Sequence, residues 1–366
     1  MYNAAIIGLG RTGQLFEEDP LMRKPNSHVG AYTYLKDKIS IIAACDIRKD
    51  RLNLFKNKWG INKNLSLYEN YKEMFKRENI DILSICTHAP QHKEIAIAAA
   101  ESGVKAIFCE KPISTNLKDA EEMIKVCKKN NTLLYIDHTR RFDNIWRKAK
   151  EILDSGKIGD IKVINSYSTA GLLNGGIHLF DLLRFYNGDV ESVHAKLKKD
   201  KSTDASGIGL IKFKNGSHAF VDVDYRDYVL FQVNIIGSKG LLKCGGMIRG
   251  DKAFELFTSK PSPTQIGLLE LQREDFPMVK GDMPLVNAIN EIIDSIENKK
   301  TSTSSGEDGL KALEICMAFH ESDKQNKEIK LPLKNRTHVV ISRETSFTKD
   351  GKFPESYEKN NILPGF

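Results

Sequence analysis

The sequence predicts a two-domain α/β protein: an N-terminal Rossmann-type doubly wound parallel sheet, then an α+β domain on a large, mainly antiparallel, open-faced sheet. Three observations predict it. The first third of the chain alternates short apolar runs with amphipathic stretches, the pattern of a parallel sheet covered by helices. The run Ala4-Ala5-Ile6-Ile7 leads straight into Gly8-Leu9-Gly10-Arg11-Thr12-Gly13, a glycine turn between a strand and a helix. After Asp137, strands appear that alternate apolar and polar residues, as in His218-Ala219-Phe220-Val221-Asp222-Val223-Asp224. At 366 residues the chain exceeds one ordinary core. The expected division is 1–138, 139–335, and a polar extended arm over 336–366.

The short apolar runs at 4–8, 39–45, 82–86, 105–109 and 133–136 predict the strands of the first domain. Amphipathic spacing predicts helices at 67–77, 92–102 and 117–128, the last preceded by Ser114 and Thr115 as N-cap candidates. The second domain opens with a helix at 144–154, ended by Gly156, and a strand at 161–168. An amphipathic helix follows at 177–186. Strands at 207–213 and 218–223 are joined through Asn215-Gly216, a strong short-range hairpin signal. Strands at 229–236 and 241–244 flank Gly237-Ser238-Lys239-Gly240. Helices at 284–298 and 308–322 close the domain, the second behind Ser305-Gly306-Glu307-Asp308, which has the form of a capping box. One face of the second sheet should be covered by helices, leaving the other for a partner subunit in a homodimer or homotetramer.

Composition narrows the function. A hydrophobic fraction of 40% and a charged fraction of 28% are ordinary for a globular protein. No apolar run approaches the ~18 residues that span a bilayer, and the N-terminus lacks a secretory pattern. A cytoplasmic protein without membrane contact is therefore expected. The six cysteines show no CxxC pairing and sit in apolar patterns, which predicts buried thiols and no metal site. The net charge of +7 is dispersed, and local clusters such as Lys128-Lys129 and Lys198-Lys199 fit solvated faces. Nucleic acid is not an expected partner; a mild positive field suits small anionic ligands.

The glycine turn has the spacing of a dinucleotide site. Gly8 permits the tight turn, Gly10 lets backbone approach a pyrophosphate, and Gly13 allows close helix–strand packing. Arg11 and Thr12 complete the loop, and the following helix N-terminus offers free N–H groups to phosphates. Asp46 closes the second strand, where a carboxylate can accept both ribose hydroxyls, favouring NAD over NADP. Arg48, two residues on, keeps NADP as the alternative. Asp46 follows Gly13 by more than the usual ~20 residues. The stretch 17–28, with Pro20 and Pro25, is expected to break the first helix.

Hydride transfer from an alcohol needs a base for the hydroxyl proton and a donor for the developing alkoxide. Lys111 lies just past a strand end, on the edge where doubly wound sheets bind ligands. His178 follows Gly175-Gly176 at the start of a helix, and its imidazole titrates near neutrality.

The residues and motifs just described resemble those of the Gfo/Idh/MocA family, named for glucose–fructose oxidoreductase, inositol dehydrogenase and a rhizopine-catabolism enzyme. The resemblance runs from about residue 3 to 333. Its carriers are Gly8 to Gly13, Asp46, Thr87 with His92, Glu110-Lys111-Pro112, Arg141-Phe142, Gly156-Lys157-Ile158-Gly159-Asp160 and His178 with Asp181. The run from Ser304 to Leu313 and the later Leu331-Pro332 also match. It implies sugar or cyclitol substrates, catalytic roles for Lys111 and His178, and Glu110 and Lys111 flanking the nicotinamide beside a Lys–Pro bond that is often cis. Thr87, His88 and His92 would line the cofactor, and Arg141 and Asn174 the substrate. The chain departs from the family pattern twice. Asn174 stands where an Asp commonly precedes the His by four residues, and an amide supplies no charge to raise a base's pKa. His88 stands where Pro commonly follows Thr87, suiting a packing or phosphate-side role.

The expected function is oxidation or reduction of a ring hydroxyl or ketone of a sugar, cyclitol or nucleotide sugar. The alternative is a non-catalytic NAD(P)-binding regulator or scaffold, favoured by Asn174 and opposed by retention of Lys111 and His178. A third reading is a transferase or hydrolase that uses the dinucleotide only as a redox catalyst. Specificity is expected in 139–146, 166–173 and 225–228.

Overall fold

A computed structural model describes residues 1–20, 22–59, 65–198, 204–246, 253–279 and 283–340. The chain divides into two compact units, Met1–Asp143 with Gly281–Leu310, and Asn144–Lys280 with Lys311–Phe366.

The first unit holds six parallel strands: β1 (Tyr2–Ile7), β2 (Ile39–Cys45), β3 (Ser66–Tyr68), β4 (Ile82–Ile85), β5 (Ala106–Cys109) and β6 (Leu133–Ile136). Their order is β3-β2-β1-β4-β5-β6, so the strand order reverses between β1 and β4, where doubly wound sheets form their ligand crevice. Every residue of β4 and β5 is buried, which is why both are short, uninterrupted apolar runs. Helices α1 (His28–Tyr34), α2 (Lys49–Trp59), α3 (Tyr71–Arg77), α4 (His92–Glu101) and α5 (Leu117–Lys129) connect the strands.

Four local features differ from the sequence expectation. Residues 67–77 are not one helix. Ser66–Tyr68 pairs with Ala43–Cys45 as an edge strand, and Asn70 then caps α3 by accepting from the Lys72 N–H at 2.9 Å. α2 was not expected, because charged residues dominate it and only Leu52 and Phe55 are buried. The cap of α5 is Asn116, which accepts from the Asp119 N–H at 2.9 Å; Ser114 and Thr115 are buried in the turn before it. The helix Pro284–Asn298 belongs with the first unit, not with the second sheet. Leu285, Val286, Ile289, Ile292 and Ile293 join the core of Ile6, Phe55, Phe108 and Phe142. Asn287 Nδ2 donates to the Phe142 carbonyl at 2.9 Å, and Tyr135 and Ser295 share a 2.6 Å hydroxyl contact. Burying a large aliphatic side chain contributes about 1.5–3 kcal/mol, so five of them outweigh chain order in deciding which core the helix joins.

The expected break in the first helix is present and has a defined form. The chain makes one helical turn after Gly10, leaves through a 3₁₀ turn at Leu15–Glu18, and returns at Ser27. The His28 N–H then donates to the Thr12 carbonyl at 2.9 Å and the Val29 N–H to the Gly13 carbonyl at 3.1 Å. The helical ladder thus resumes across the excursion, with His28 where residue 16 would stand in an unbroken helix. The offset is 12 residues (28 minus 16). Asp46 lies 33 residues past Gly13 (46 minus 13), and removing the offset leaves 21, close to the usual ~20.

The second unit carries a nine-stranded sheet of β7 (Ile161–Thr169), β8 (Val190–Leu197), β9 (Gly207–Phe213), β10 (His218–Asp224), β11 (Phe231–Gly237), β12 (Gly240–Gly246), β13 (Phe254–Pro261), β14 (Leu269–Glu274) and β15 (Ile329–Lys330). The order is β14-β13-β12-β11-β7-β10-β9-β8-β15, and only β7 with β10 is parallel among the described pairs. Neither β13 nor β14 was expected from sequence. β14 is an exposed edge strand in which only Leu269 and Leu271 are apolar, too short an alternation to mark it. Gly216 (φ +86°) turns the hairpin between β9 and β10, and Gly156 (φ +70°) ends α6 (Asn144–Asp154), both as the sequence predicts. Ser305 and Asp308 form the reciprocal capping box that opens the helix Gly306–Gln325: the Ser305 N–H donates to Asp308 Oδ2 at 3.1 Å, and the Asp308 N–H to Ser305 Oγ at 3.2 Å.

Along β10, Ala219, Val221 and Val223 are buried while Phe220 is 55% exposed. Ile208 and Leu210 of β9 are exposed on that same open face. All six cysteines are free, five of them buried and Cys86 half-buried. Among the described residues no helix is long and apolar enough to cross a membrane. Of the expected C-terminal arm, 341–366 lie outside the described residues. At its start Val340 is buried and Arg336 pairs with Glu314.

Candidate active site

Four strand ends of the first sheet place expected cofactor residues on one edge, and a fifth adds Asp137. Gly8 follows β1, Asp46 follows β2, Thr87 lies just past β4, Glu110 and Lys111 follow β5, and Asp137 follows β6. The glycines have distinct duties. A Cβ on Gly8 (φ +92°) would lie 2.6 Å from the Cys86 carbonyl carbon, and one on Gly13 would lie 2.1 Å from the Gly8 oxygen. A Cβ on Gly10 would meet nothing within 4 Å. Gly8 and Gly13 therefore let backbone pack on backbone, while Gly10 faces an open cradle that a side chain would fill. Arg11 stacks its guanidinium 4.8 Å from the Phe16 ring centre.

Asp46 is tied to that loop. Its Oδ2 accepts from the Leu9 N–H at 2.7 Å and its Oδ1 from the Arg48 N–H at 2.9 Å, which fixes the carboxylate beside the glycine turn. The Arg48 side chain engages Asp50, its Nε donating to Oδ1 at 3.0 Å, and that bond holds the Asp50 carboxyl below its ordinary pKa. Thr87 Oγ1 is buried with no hydrogen-bond partner among the described residues, as expected of a hydroxyl awaiting a ligand. An open glycine cradle, a pinned carboxylate and an orphaned hydroxyl together fit a dinucleotide.

His92 and His88 differ in placement. His92 is fully buried, its ring nitrogens each 3.0 Å from a carbonyl, one of Thr87 and one of Pro112. Burial lowers its pKa, against the two facing carbonyls, which favour the charged form; the ring packs between the two loops. His88 is exposed before the short 3₁₀ turn Ala89–Gln91. Glu110 is buried and accepts from the Lys111 N–H at 3.3 Å, and the Lys111–Pro112 peptide is cis. Burial alone would raise the Glu110 pKa, but facing His28 and the Lys111 ammonium bring it below the ordinary carboxylate value. Arg141, expected to touch substrate, is buried. Its Nη1 donates to the Thr303 carbonyl at 2.7 Å and its Nη2 lies 3.2 Å from Asp308 Oδ1.

In the second unit Asn174 sits in a π-helical turn, Leu172–Gly176, that runs directly into α7 (Ile177–Asn187), with His178 buried in its first turn. Asp204 sets this turn. Its buried carboxylate accepts from the Leu173 N–H at 2.9 Å and the Asn174 N–H at 3.1 Å. Gly171 admits it, since a Cβ there would lie 2.2 Å from the Asp204 carboxyl carbon. Lys111 thus belongs to the first unit, and Asn174 and His178 share one segment of the second. Sequence reasoning missed His28, Asp137 and Asp204. Asp137 closes β6 as Asp46 closes β2, a signal in the sequence; Asp204 carried none.

The model of an oxidoreductase family with an NAD-binding Rossmann fold, GFO/IDH/MocA, matches residues 2–138, and that of the GFO/IDH/MocA C-terminal domain matches 146–243. Myo-inositol 2-dehydrogenase of Thermotoga maritima is 27% identical over 356 residues, covering 89% of this chain and 97% of the relative. D-apiose dehydrogenase of Paraburkholderia graminis is 25% identical, covering 81% and 84%. Among solved structures, scyllo-inositol dehydrogenase of Lactobacillus casei with bound NAD(H) and scyllo-inositol superposes with a TM-score of 0.70 at 21% identity, covering 90% of this chain and 99% of that one.

Proposed function

The chain belongs to the GFO/IDH/MocA family of oxidoreductases with an NAD-binding Rossmann fold, and from that membership we propose that it transfers hydride between NAD and a ring carbinol of a sugar or cyclitol. The observation that carries the reading is the strand-edge constellation of the open Gly10 cradle, the pinned Asp46 and the Glu110-Lys111-Pro112 turn. Relatives named for inositol and apiose support the substrate class. The bound nicotinamide supplies the hydride acceptor or donor. In this reading His178 takes the hydroxyl proton during oxidation, a ring nitrogen serving as the acceptor. The Lys111 ammonium donates to the same oxygen as negative charge develops on it. Asn174 hydrogen-bonds a neighbouring hydroxyl and orients the ring. Broad assay of sugars and cyclitols with NAD and NADH tests the proposal. Tight NADH binding with no turnover on any of them would instead support a regulator.

Cofactor choice gives a direct measurement. Asp46→Ala removes a carboxylate acceptor, and hydrogen bonds to charged groups contribute about 1.5–3 kcal/mol. NADH affinity, followed by fluorescence, should fall roughly 10- to 100-fold by that figure, with discrimination against NADPH lost. Unchanged NADH affinity would remove the ribose assignment, and a wild type preferring NADPH would transfer it to Arg48.

Self-association through the second sheet is also part of this reading. Ile208 and Phe220, 57% and 55% exposed, lie on its open face, where contiguous apolar surface favours a partner. Sedimentation at micromolar concentration should show a dimer or tetramer that Phe220→Glu dissociates; a strictly monomeric wild type would refute it. We place the enzyme in the cytoplasm, consistent with its six free cysteines.

A further inference from the structure

Behind the Lys111 turn lies a group of side chains that the reaction scheme does not use. His28, at the start of α1, is completely buried. Its Nδ1 is 2.8 Å from Ser84 Oγ, which is itself 2.7 Å from the Tyr32 hydroxyl. Its Nε2 has no hydrogen-bond partner among the described residues and points at two carboxylates, with Glu110 Oε1 at 3.5 Å and Asp137 Oδ2 at 3.8 Å. Glu110 and Asp137 are buried too, and the three ligand-type atoms lie within 4.8 Å of one another. A bare imidazole lone pair facing two carboxylates in a dry site would be three acceptors with nothing between them. Such an arrangement is stable only if a proton or a cation occupies the centre.

We propose that His28, Glu110 and Asp137 form a buried proton-sharing site, with His28 held as the imidazolium between the two carboxyl groups, that positions the Glu110–Lys111 turn. A metal ion is the other candidate for the centre, and the surroundings oppose it. Among the described residues three donor atoms converge, so a divalent cation would need a water to complete its shell, and the Phe108 ring is packed 4.9 Å from the His28 ring. The remaining groups facing the cluster are Cys86, Cys109, Tyr32, Thr12, Thr139 and Lys111. Burial raises the pKa values of both thiols and the phenol, so these three stay neutral; Lys111 is the charged neighbour in this group.

The proton count follows from the charges. Burial opposes a charge on His28, while the facing Glu110 carboxylate favours it through its charge and its hydrogen bond, so the pKa stands above the ordinary imidazole value. Burial, with Glu110 beside it, pushes the Asp137 carboxyl up to about 7, while Thr139 Oγ1 donates to Asp137 Oδ1 at 3.0 Å. Below pH 7 the site is a neutral set of imidazolium, carboxylate and carboxylic acid. Above it, Asp137 ionises and a net negative charge faces Lys111. Both raised groups bind protons more tightly folded than unfolded. Their contribution to stability is therefore complete below the unfolded values and is lost as pH rises through the folded ones. For Asp137 that window runs from about 4 to about 7.

The test uses the full-length protein labelled with ¹⁵N-histidine, its nine imidazoles followed from pH 5 to 9 by long-range ¹H–¹⁵N correlation, with His28→Gln identifying the His28 signals. His28 should remain doubly protonated at pH 8, and Asp137→Asn should lower its midpoint by about one unit, since an amide cannot supply the balancing charge. Asp137→Asn should also gain stability relative to wild type as pH rises from 5 to 8, because it removes an acid that must ionise in the core. A neutral His28 at pH 7, or one titrating near 6.5 in both proteins, would overturn the proposal. So would one equivalent of divalent metal that copurifies with wild type and is absent from His28→Gln. Loss of turnover at every pH in wild type would count against the dehydrogenase reading, which this proton site does not need.

Discussion

Lys111→Ala should lower turnover by about 10²–10⁴-fold, with NADH affinity nearly unchanged, and His178→Ala should act similarly. In the proposed reaction the two substitutions remove different things. Without His178 the hydroxyl proton must leave to solvent, so the variant's rate should rise with pH as hydroxide takes over. Without Lys111 the developing alkoxide loses an ammonium in a partly buried setting, an interaction that strengthens toward the transition state and so lowers kcat more than it raises KM. Stopped-flow measurement of single-turnover NADH formation isolates the chemical step from product release. Retention of more than a tenth of wild-type turnover by either variant would remove that residue from the reaction. Asn174→Asp supplies the carboxylate that the family resemblance leads one to expect at this position. If Asn174 suits this chain's own substrate, the change should weaken binding of that substrate and add a titrating group to the pH–rate profile.

Gly13→Ala and Gly10→Ala should separate folding from binding. The Gly13 Cβ would lie 2.1 Å from the Gly8 oxygen, a backbone atom that cannot swing aside, so β1, its glycine turn and α1 must shift. Overpacking of this kind costs about 1–3 kcal/mol, and the displaced turn should lose NADH affinity as well. Gly10→Ala places a methyl where no protein atom lies within 4 Å. That protein should unfold within about 0.5 kcal/mol of wild type, as surface substitutions do, yet bind NADH at least tenfold more weakly because the methyl occupies the cradle. Thermal unfolding and NADH fluorescence on both variants measure the two effects. Wild-type NADH affinity in Gly10→Ala would mean that the cradle does not hold the dinucleotide.

Where local chemistry decides structure, the sequence is legible. The strands β2 and β6 and the helices α6 and Pro284–Asn298 have the predicted bounds, because each carries a mostly apolar run or a clear amphipathic stripe. The same holds for the Asn215-Gly216 hairpin, the Ser305/Asp308 capping box and the edge placement of Gly8, Asp46, Glu110 and Lys111. What only the tertiary structure decided are matters of partnership between distant residues. β3 exists because β2 offers it an edge, and Pro284–Asn298 joins the first core because that core has the matching apolar surface. His28 regains its helix across a 12-residue offset only through the Thr12 and Gly13 carbonyls. Arg141 is committed to Thr303 and Asp308, more than 160 residues away in the chain. The Asp204 clamp on Asn174 and the Glu110–His28–Asp137 cluster are likewise invisible in one dimension. Periodicity and turn chemistry act over a few residues and leave their mark in the local sequence, whereas a buried charge finds its partner through the fold, and no spacing records it.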